Sequence, residues 1–240
     1  AIDEILWLKD RFGVRFIYLE DDNFTASWKR VEEFCTMLIK ERVNISWGCL
    51  SRTDGVTKER LSLLKESGCY LIKYGVESGS QQLLDNVNKH NTLDAIAKAF
   101  DLTKEMGIMT HATVMTGAPG ENLQTISETR KFIRRLAPDS VQFSVCTPFP
   151  GTSFFDECKK NNWLTYERWE DFDGNCGGVL DYPGLSKQEI KRAVRDSYRD
   201  YYFSFPYIKQ RLARTFRGPD RLSQISRNFY LMKRLAKLEI

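Results

Sequence analysis

The chain has 240 residues, of which 42% are hydrophobic, 28% charged and 12% aromatic, with a formal net charge of +4. These proportions exclude a collagen-like, low-complexity or wholly disordered protein, and no apolar run approaches the roughly 18 residues of a membrane span. The first residues, AIDEILWLKD, are amphipathic and acidic, unlike a signal peptide. Without an initiator Met, the chain is expected to begin inside a longer polypeptide.

Ile2, Ile5, Leu6 and Phe12 share a helical face that Gly13 ends. The β-rich run VRFIYLE (14–20) follows. Ser27 then stands as N-cap to a helix with Val31, Phe34, Cys35, Leu38 and Ile39 on one side. NISWGCL (44–50) reads as a second strand; Thr57, Leu61 and Leu64 mark the helix after it, stopped by Gly68. CYLIKYGVE (69–77) is the third, followed by Thr92, Leu93, Ile96, Ala97 and Phe100 up to Gly107. IMTHATVMTG (108–117) precedes a helix carrying Leu123, Ile126, Ile133 and Leu136, and DSVQFSVC (139–146) is the fifth strand. Strand starts lie about 25–40 residues apart, the size of a βα unit. The alternation predicts an α/β fold, a parallel sheet with helices outside it. After residue 152 the pattern changes. Residues 161–184 read as an ordered aromatic loop, Ser186 and Glu189 as a capping box before a helix, and the chain from about Pro206 as short basic helices.

The two ends of the strands differ in chemistry. Three helix-to-strand connections are plain glycine stops: Gly13, Gly68 and Gly107. The strand-to-helix connections are instead rich in functional groups: Glu20-Asp21-Asp22-Asn23, Ser51-Arg52-Thr53-Asp54, Glu77-Ser78-Gly79-Ser80, 116–121 and 147–152. Loops favour polar residues in general, but that does not put carboxylates and an arginine at this end alone. In parallel α/β barrels this end carries the active site. Within GVESGS (75–80), Glu77 can accept from ribose hydroxyls or an ammonium, and the amides of 78–80 can face an anion.

The six cysteines, Cys35, Cys49, Cys69, Cys146, Cys158 and Cys176, include no CxxC or CxxxC pair. They read as buried thiols in a reducing, cytoplasmic compartment. With only His90 and His111 available, no metal site is assigned to this chain.

The ordered set YLEDDNF, ISWGCLSRTD, LLKESGCYLIKYGVESGSQQLLDNVNK, GIMTHATVMTGAPGENLQT and VQFSVCTPFPGT resembles the radical S-adenosylmethionine (SAM) superfamily. More closely, it resembles the branch whose radical domain follows a cobalamin-binding domain, which includes methyltransferases and oxidative cyclases. The resemblance covers about residues 1–160 strongly; VRDSYRDYYFSFPYIKQRLAR is similar to tails of that branch more loosely. It implies a partial TIM-type (β/α)6 barrel over 1–160, with family strands two to six present, and a C-terminal loop and basic helical extension over 161–240. It further implies SAM and a [4Fe-4S] cluster as cofactors, with cobalamin as a further one, and reductive cleavage of SAM to a 5′-deoxyadenosyl radical that abstracts hydrogen from substrate. The cluster ligands form a CxxxCxxC motif that this sequence lacks, so the motif and the first strand are expected upstream of Ala1. A sheet edge left unpaired by a missing strand favours that expectation.

By the same resemblance, Glu20, Asp21 and Asp22 occupy the position that binds the methionyl ammonium, although Gly-Gly-Glu is the commoner pattern. Arg52 faces the methionyl carboxylate or, equally, pairs with Asp54. Glu77 and Ser78 match the position near ribose and sulfonium. Gly117, Pro119 and Gly120 match the loop against the nucleoside. Gln142, Ser144 and Thr147 stand where adenine is read and side chains reach substrate. No catalytic residue is assigned. The implied partners are a small-molecule or lipid-like substrate, a reductant such as flavodoxin or ferredoxin, and the protein's own N-terminal domain.

Other candidates carry blander readings. His111 is expected to be a satisfied core histidine rather than a proton carrier, and Cys146 a buried thiol. Trp163, Tyr166, Trp169 and Phe172 either cover a flat substrate or form a satellite core. Residues 191–240 hold 13 Lys/Arg against 4 Asp/Glu, a surplus of +9 that leaves −5 over the rest. Arg211, Arg214, Arg217, Arg221, Arg227, Lys233 and Arg234 are read first as a solvated face on the N-terminal domain, then as contact with an anionic membrane surface; nucleic acid ranks last. A cluster-free barrel binding a nucleoside, RNA or lipid is the competing function. An aldolase-type barrel lacks support, because no lysine stands at a strand end in a Schiff-base setting.

Overall fold

In the computed structural model, residues 1–87, 89–166, 168–173 and 178–217 are described. Five strands form one sheet in the order β1-β2-β3-β4-β5: β1 (Phe16–Leu19), β2 (Ser46–Ser51), β3 (Cys69–Glu77), β4 (Met109–Thr116) and β5 (Ser140–Val145). β1 pairs with β2, and β2 with β3, in parallel. Helices α1 (Ile2–Phe12), α2 (Trp28–Lys40) and α3 (Lys58–Glu66) come first, then α4 (Gln81–Asn86), α5 (Leu93–Glu105) and α6 (Leu123–Leu136). The last are α7 (Ser153–Lys160), α8 (Lys187–Tyr202) and α9 (Phe205–Arg217). The α/β expectation therefore holds. None of these helices is long and apolar enough to cross a membrane.

The chain divides into two compact units. One comprises Ala1–Val76, His90–Thr113 and Pro138–Ser140; the other comprises Glu77–Lys89, Val114–Ala137 and Val141–Ile240. In the first unit the core lies between the strands and α2, α3 and α5. Trp47 packs edge-on against Phe24 and Phe34, and its indole N–H donates to the Ser67 carbonyl at 3.0 Å. Tyr74 meets Phe100 and exchanges a 2.8 Å hydrogen bond with Thr103. Side chains alternate between faces along a strand. Accordingly, every second residue of β3 from Ile72 onward, and of β4, is buried while its neighbours stay half-buried.

Local signals account for most helix ends. Gly13 takes the left-handed conformation at φ 63° and closes α1. Thr57, Thr92 and Ser186 accept backbone N–H bonds at the starts of α3, α5 and α8. Ser27 stands at the N-cap of α2, but its hydroxyl makes no capping bond. The expected loop over 161–184 holds two isolated antiparallel bridges, Leu164 with Leu180 and Tyr182 with Leu185, and a short 3-10 turn, Trp169–Asp171. Cys176, Arg221, Arg227, Lys233 and Arg234 lie outside the described residues, as do the side chains of Arg214 and Arg217.

In the second unit α8 ties down α6 and the outer edge of β5. Arg130 of α6 donates to Ser197 Oγ at 2.9 Å and to the Ala193 carbonyl at 3.0 Å. The Tyr202 hydroxyl accepts from the Val141 N–H and donates to the Val141 carbonyl, both at 2.9 Å. The Tyr198 hydroxyl accepts from the Phe143 N–H at 3.1 Å. Phenol groups thus occupy backbone positions that a further strand would use, the edge protection a sheet needs. Tyr202→Phe strips both partners from a buried peptide group and should destabilise the protein by about 2–3 kcal/mol, measured by denaturant unfolding; a change below 0.5 kcal/mol would contradict the edge role.

Candidate functional site

In the first unit, Glu20, Asp21 and Asp22 follow β1 and are exposed. Asp21 pairs with Arg30 at 3.1 Å, and Arg30 is itself fixed by donating to the Phe24 carbonyl. Among the described residues, Glu20 and Asp22 make no ion pair. Arg52 follows β2 and donates from Nε to Asp54 at 2.8 Å, the pairing weighed against a ligand role. Thr53 beside it is buried and receives a bond from Asn91. A cleft of about 740 Å³ lies at the opposite ends of these strands, beside Arg15, Ser46 and Gly68, and includes none of the candidate residues.

In the second unit, Glu77 ends β3 in a left-handed conformation, φ 65°, and accepts from Lys89 Nζ at 2.8 Å. Ser78 is buried, its hydroxyl shared with Thr129 Oγ1 at 3.2 Å and with the Ser80 N–H at 3.1 Å. The Gly79 N–H donates to the same Thr129 oxygen at 3.0 Å. Two of the amides offered by the 78–80 turn are therefore used within the protein. Gly79 must be glycine, because a Cβ there would fall 2.6 Å from both Phe132 Cβ and Thr129 Cα.

The loop after β4 is locked from inside. Gly117, at φ 91°, donates its N–H to Glu121 and accepts from the Tyr182 hydroxyl at 2.9 Å. Pro119 is half-buried, and Gly120 is exposed at φ 82°. Glu121 is buried, and burial raises its pKa to about 7 against the lowering effect of the Gly117 and Ala118 amides. Gln142 is exposed and donates to Ser144 Oγ at 3.1 Å; Thr147 turns back to the Val145 carbonyl at 3.2 Å. Lys89, Thr129 and Glu121, which hold the candidate loops in place, were not singled out by sequence. Only the position of Glu121 in a Gly-Pro-Gly loop hinted at a role.

The other candidates separate. Cys146 is buried, and burial pushes its thiol up to about 12, so it is an inert thiol at neutral pH. Tyr166, Trp169 and Phe172 form one aromatic cluster with Phe155, in which Phe172 is buried and Trp169 is 65% exposed. Trp163 packs instead on Tyr182. His111 departs from the satisfied core histidine expected: Nδ1 bonds Ser140 Oγ at 2.7 Å, but Nε2 is buried with no partner among the described residues.

Residues 1–133 match the radical SAM superfamily. The chain belongs to that superfamily. It is 27% identical to an uncharacterized methyltransferase of Pyrococcus horikoshii, over 84% of this chain and 44% of that protein. It is also 27% identical to the anaerobic magnesium-protoporphyrin IX monomethyl ester cyclase of Rubrivivax gelatinosus, over 90% and 40%. The chain thus spans less than half the length of either relative. Among solved structures, the radical SAM methyltransferase TsrM from Kitasatospora setae, determined with cobalamin and a [4Fe-4S] cluster, aligns at a TM-score of 0.61 and 18% identity, over 80% of this chain and 37% of that one. The fold is accordingly a partial TIM-type (β/α) fold.

The superfamily uses SAM and a [4Fe-4S] cluster. The cysteines described here do not fit the cluster. Burial pushes the thiols of Cys35 and Cys158 up to about 11 and raises that of Cys69, whereas a cluster ligand must be a thiolate. Among the described residues no three His, Cys, Asp or Glu side chains converge on a metal position. The amino end of SAM fits better, since Glu20 and Asp22 offer exposed carboxylates that make no ion pair among the described residues.

Glu121 supplies a pH test of the loop. Its folded pKa lies above the ordinary 4.5, so the folded state keeps a proton that the unfolded state has already released. Its contribution to stability is full below pH 4.5 and is lost as pH rises through 7. Replacing it by glutamine, which keeps an acceptor for Gly117, should remove this decline. Stability of the variant relative to the parent should climb between pH 5 and 7 by at most about 1.4 kcal/mol per pH unit. Parallel profiles in urea unfolding would contradict a buried, titrating Glu121.

Proposed function

We propose that this chain is the SAM-holding part of a longer radical SAM enzyme, with residues 1–160 as the catalytic barrel region and 161–240 as its extension. The overall reaction is reductive cleavage of SAM followed by hydrogen abstraction from a small-molecule substrate, leading to methyl transfer or oxidative ring closure. The supporting observation is the two carboxylates Glu20 and Asp22 after β1, which make no ion pair among the described residues in a loop that otherwise pairs Asp21 with Arg30. An ammonium group is the ligand that such a pair binds best. Glu77, held by Lys89, and the glycine-bearing loop 117–121 are assigned the nucleoside, and Gln142, Ser144 and Thr147 the adenine and substrate side.

The cluster, when bound, supplies the electron; its cysteines are assigned to sequence upstream of Ala1. Cobalamin is proposed as a further cofactor, supported by TsrM, whose structure holds it. A flavodoxin or ferredoxin as reductant, contact with the protein's own N-terminal domain and a cytoplasmic setting complete the proposal. The lipid-like substrate and membrane-surface contact rest on the basic tail alone.

The test uses the full-length protein, reconstituted anaerobically with iron and sulfide. It should turn brown and release 5′-deoxyadenosine from SAM under reduction. Glu20→Gln combined with Asp22→Asn should weaken SAM binding about 10–100-fold by calorimetry, while Asp21→Asn should change it less than about 3-fold. A colourless protein that leaves SAM intact would overturn the enzyme reading in favour of a cluster-free nucleoside-binding module.

A further inference from the structure

Tyr18 of β1, Lys73 of β3, His111 of β4 and Ser140 of β5 all belong to the first unit. Tyr18 and Lys73 lie on the strand faces opposite those packed by helices, as alternation from Trp47 and Tyr74 requires. Tyr18 is registered beside Gly48, where a Cβ would come within 3.1 Å of the Tyr18 ring and 3.3 Å of Leu71. The missing side chain lets the ring lie across β2 towards Lys73, whose ammonium stands 4.1 Å from the ring centre. His111 is lowered to a pKa of about 4, first by burial and then by Lys73, and is neutral near pH 7. His111 Nδ1 stands 2.7 Å from Ser140 Oγ; with Ser140 as the donor of that bond, the ring proton lies on Nε2 and can be given to a ligand.

Among the described residues, the Tyr18 hydroxyl and His111 Nε2 are both buried without a hydrogen-bond partner, a condition that buried polar atoms rarely keep. Among the described residues Lys73 makes no ion pair, with Glu20 or any other carboxylate. Each of the three groups can donate a hydrogen bond, and one of them is charged. A cation over an aromatic ring is held more weakly than one bonded to an anion, so Lys73 is free to turn to an arriving anionic group. Phe16, two residues before Tyr18 on the same face, forms an exposed edge-to-face pair with Tyr70, ring centres 6.1 Å apart.

We propose that Tyr18, Lys73 and His111 hold the carboxylate or phosphate of an organic substrate whose apolar body rests on Phe16 and Tyr70. The word substrate depends on the radical SAM reading; the anion site does not. The test is benzoate binding to the full-length, anaerobically reconstituted protein with ¹⁵N-labelled histidine, the His111 signals assigned with a His111→Gln variant. Benzoate should shift the His111 ring nitrogens saturably, and benzyl alcohol, its uncharged analogue, should bind at least about 10-fold more weakly. Lys73→Met should weaken benzoate about 10–100-fold. Tyr18→Phe should weaken it about 10-fold without lowering the thermal midpoint, because that hydroxyl has no bond to lose in the free protein. SAM affinity should be the same in both variants. Equal binding of the two probes, or unchanged benzoate binding in both variants, would overturn the proposal. A His111 shift produced by SAM alone would also overturn it, by assigning the site to the carboxylate of SAM itself. Benzoate binding as expected, in a protein that neither binds nor cleaves SAM, would overturn the proposed function and leave the anion site standing.

Discussion

In the first unit the helices pack against one face of the strands, the face of Trp47 and Tyr74, and much else in this protein follows from that constraint. Buried residues alternate with half-buried ones along β4 and along β3 from Ile72 onward. On the covered side stand Trp47, Cys49, Ile72 and Tyr74, all shut off from solvent. On the other side the chain carries tyrosine, lysine, histidine and serine. Apolar burial on one face supplies the stability, which leaves the opposite face able to carry polar groups that a two-sided core would exclude.

The strand-end loops show how such chemistry is fixed in place. Glu77 sits in a conformation that costs backbone energy, and its loop is braced by Thr129, some fifty residues away in sequence. Gly79 permits that brace by lacking a side chain. The loop after β4 is organised likewise, with an internal carboxylate and a tyrosine from beyond residue 180 on either side of Gly117. Both loops owe their shape to partners that are distant in the chain.

That distance explains what the sequence revealed and what it hid. The five strands were legible because each is a short run rich in β-branched and aromatic residues, three of them after a glycine stop, and the helices with Thr57, Thr92 and Ser186 at their starts because their caps are local. Helix α4 was missed because six residues are too few to show a period, and α7 because its cap, Thr152, follows a proline-rich loop. The box at Asn122 and Thr125 escaped because it departs from the usual Ser/Thr-to-Glu spacing. The acidic and glycine-bearing loops were readable as residue types, but the pairings Glu77–Lys89, Ser78–Thr129 and Gly117–Glu121 were not all so: they depend on geometry that only the folded chain supplies. His111 is the clearest case, since nothing in its apolar neighbourhood told that one ring nitrogen would be satisfied and the other stranded.

The tyrosine seal on β5 also carries a cost in time. Val141 and Tyr202 are 61 residues apart, and a ribosome adding roughly 5–20 residues per second takes about 3–12 seconds to make that stretch. For that interval the nascent strand shows a raw row of amides and carbonyls to its surroundings. Slow translation before α8 emerges would thus prolong the moment at which neighbouring chains on the same message can cross-pair, a hazard set by the position of one phenol and not by the stability of the finished fold.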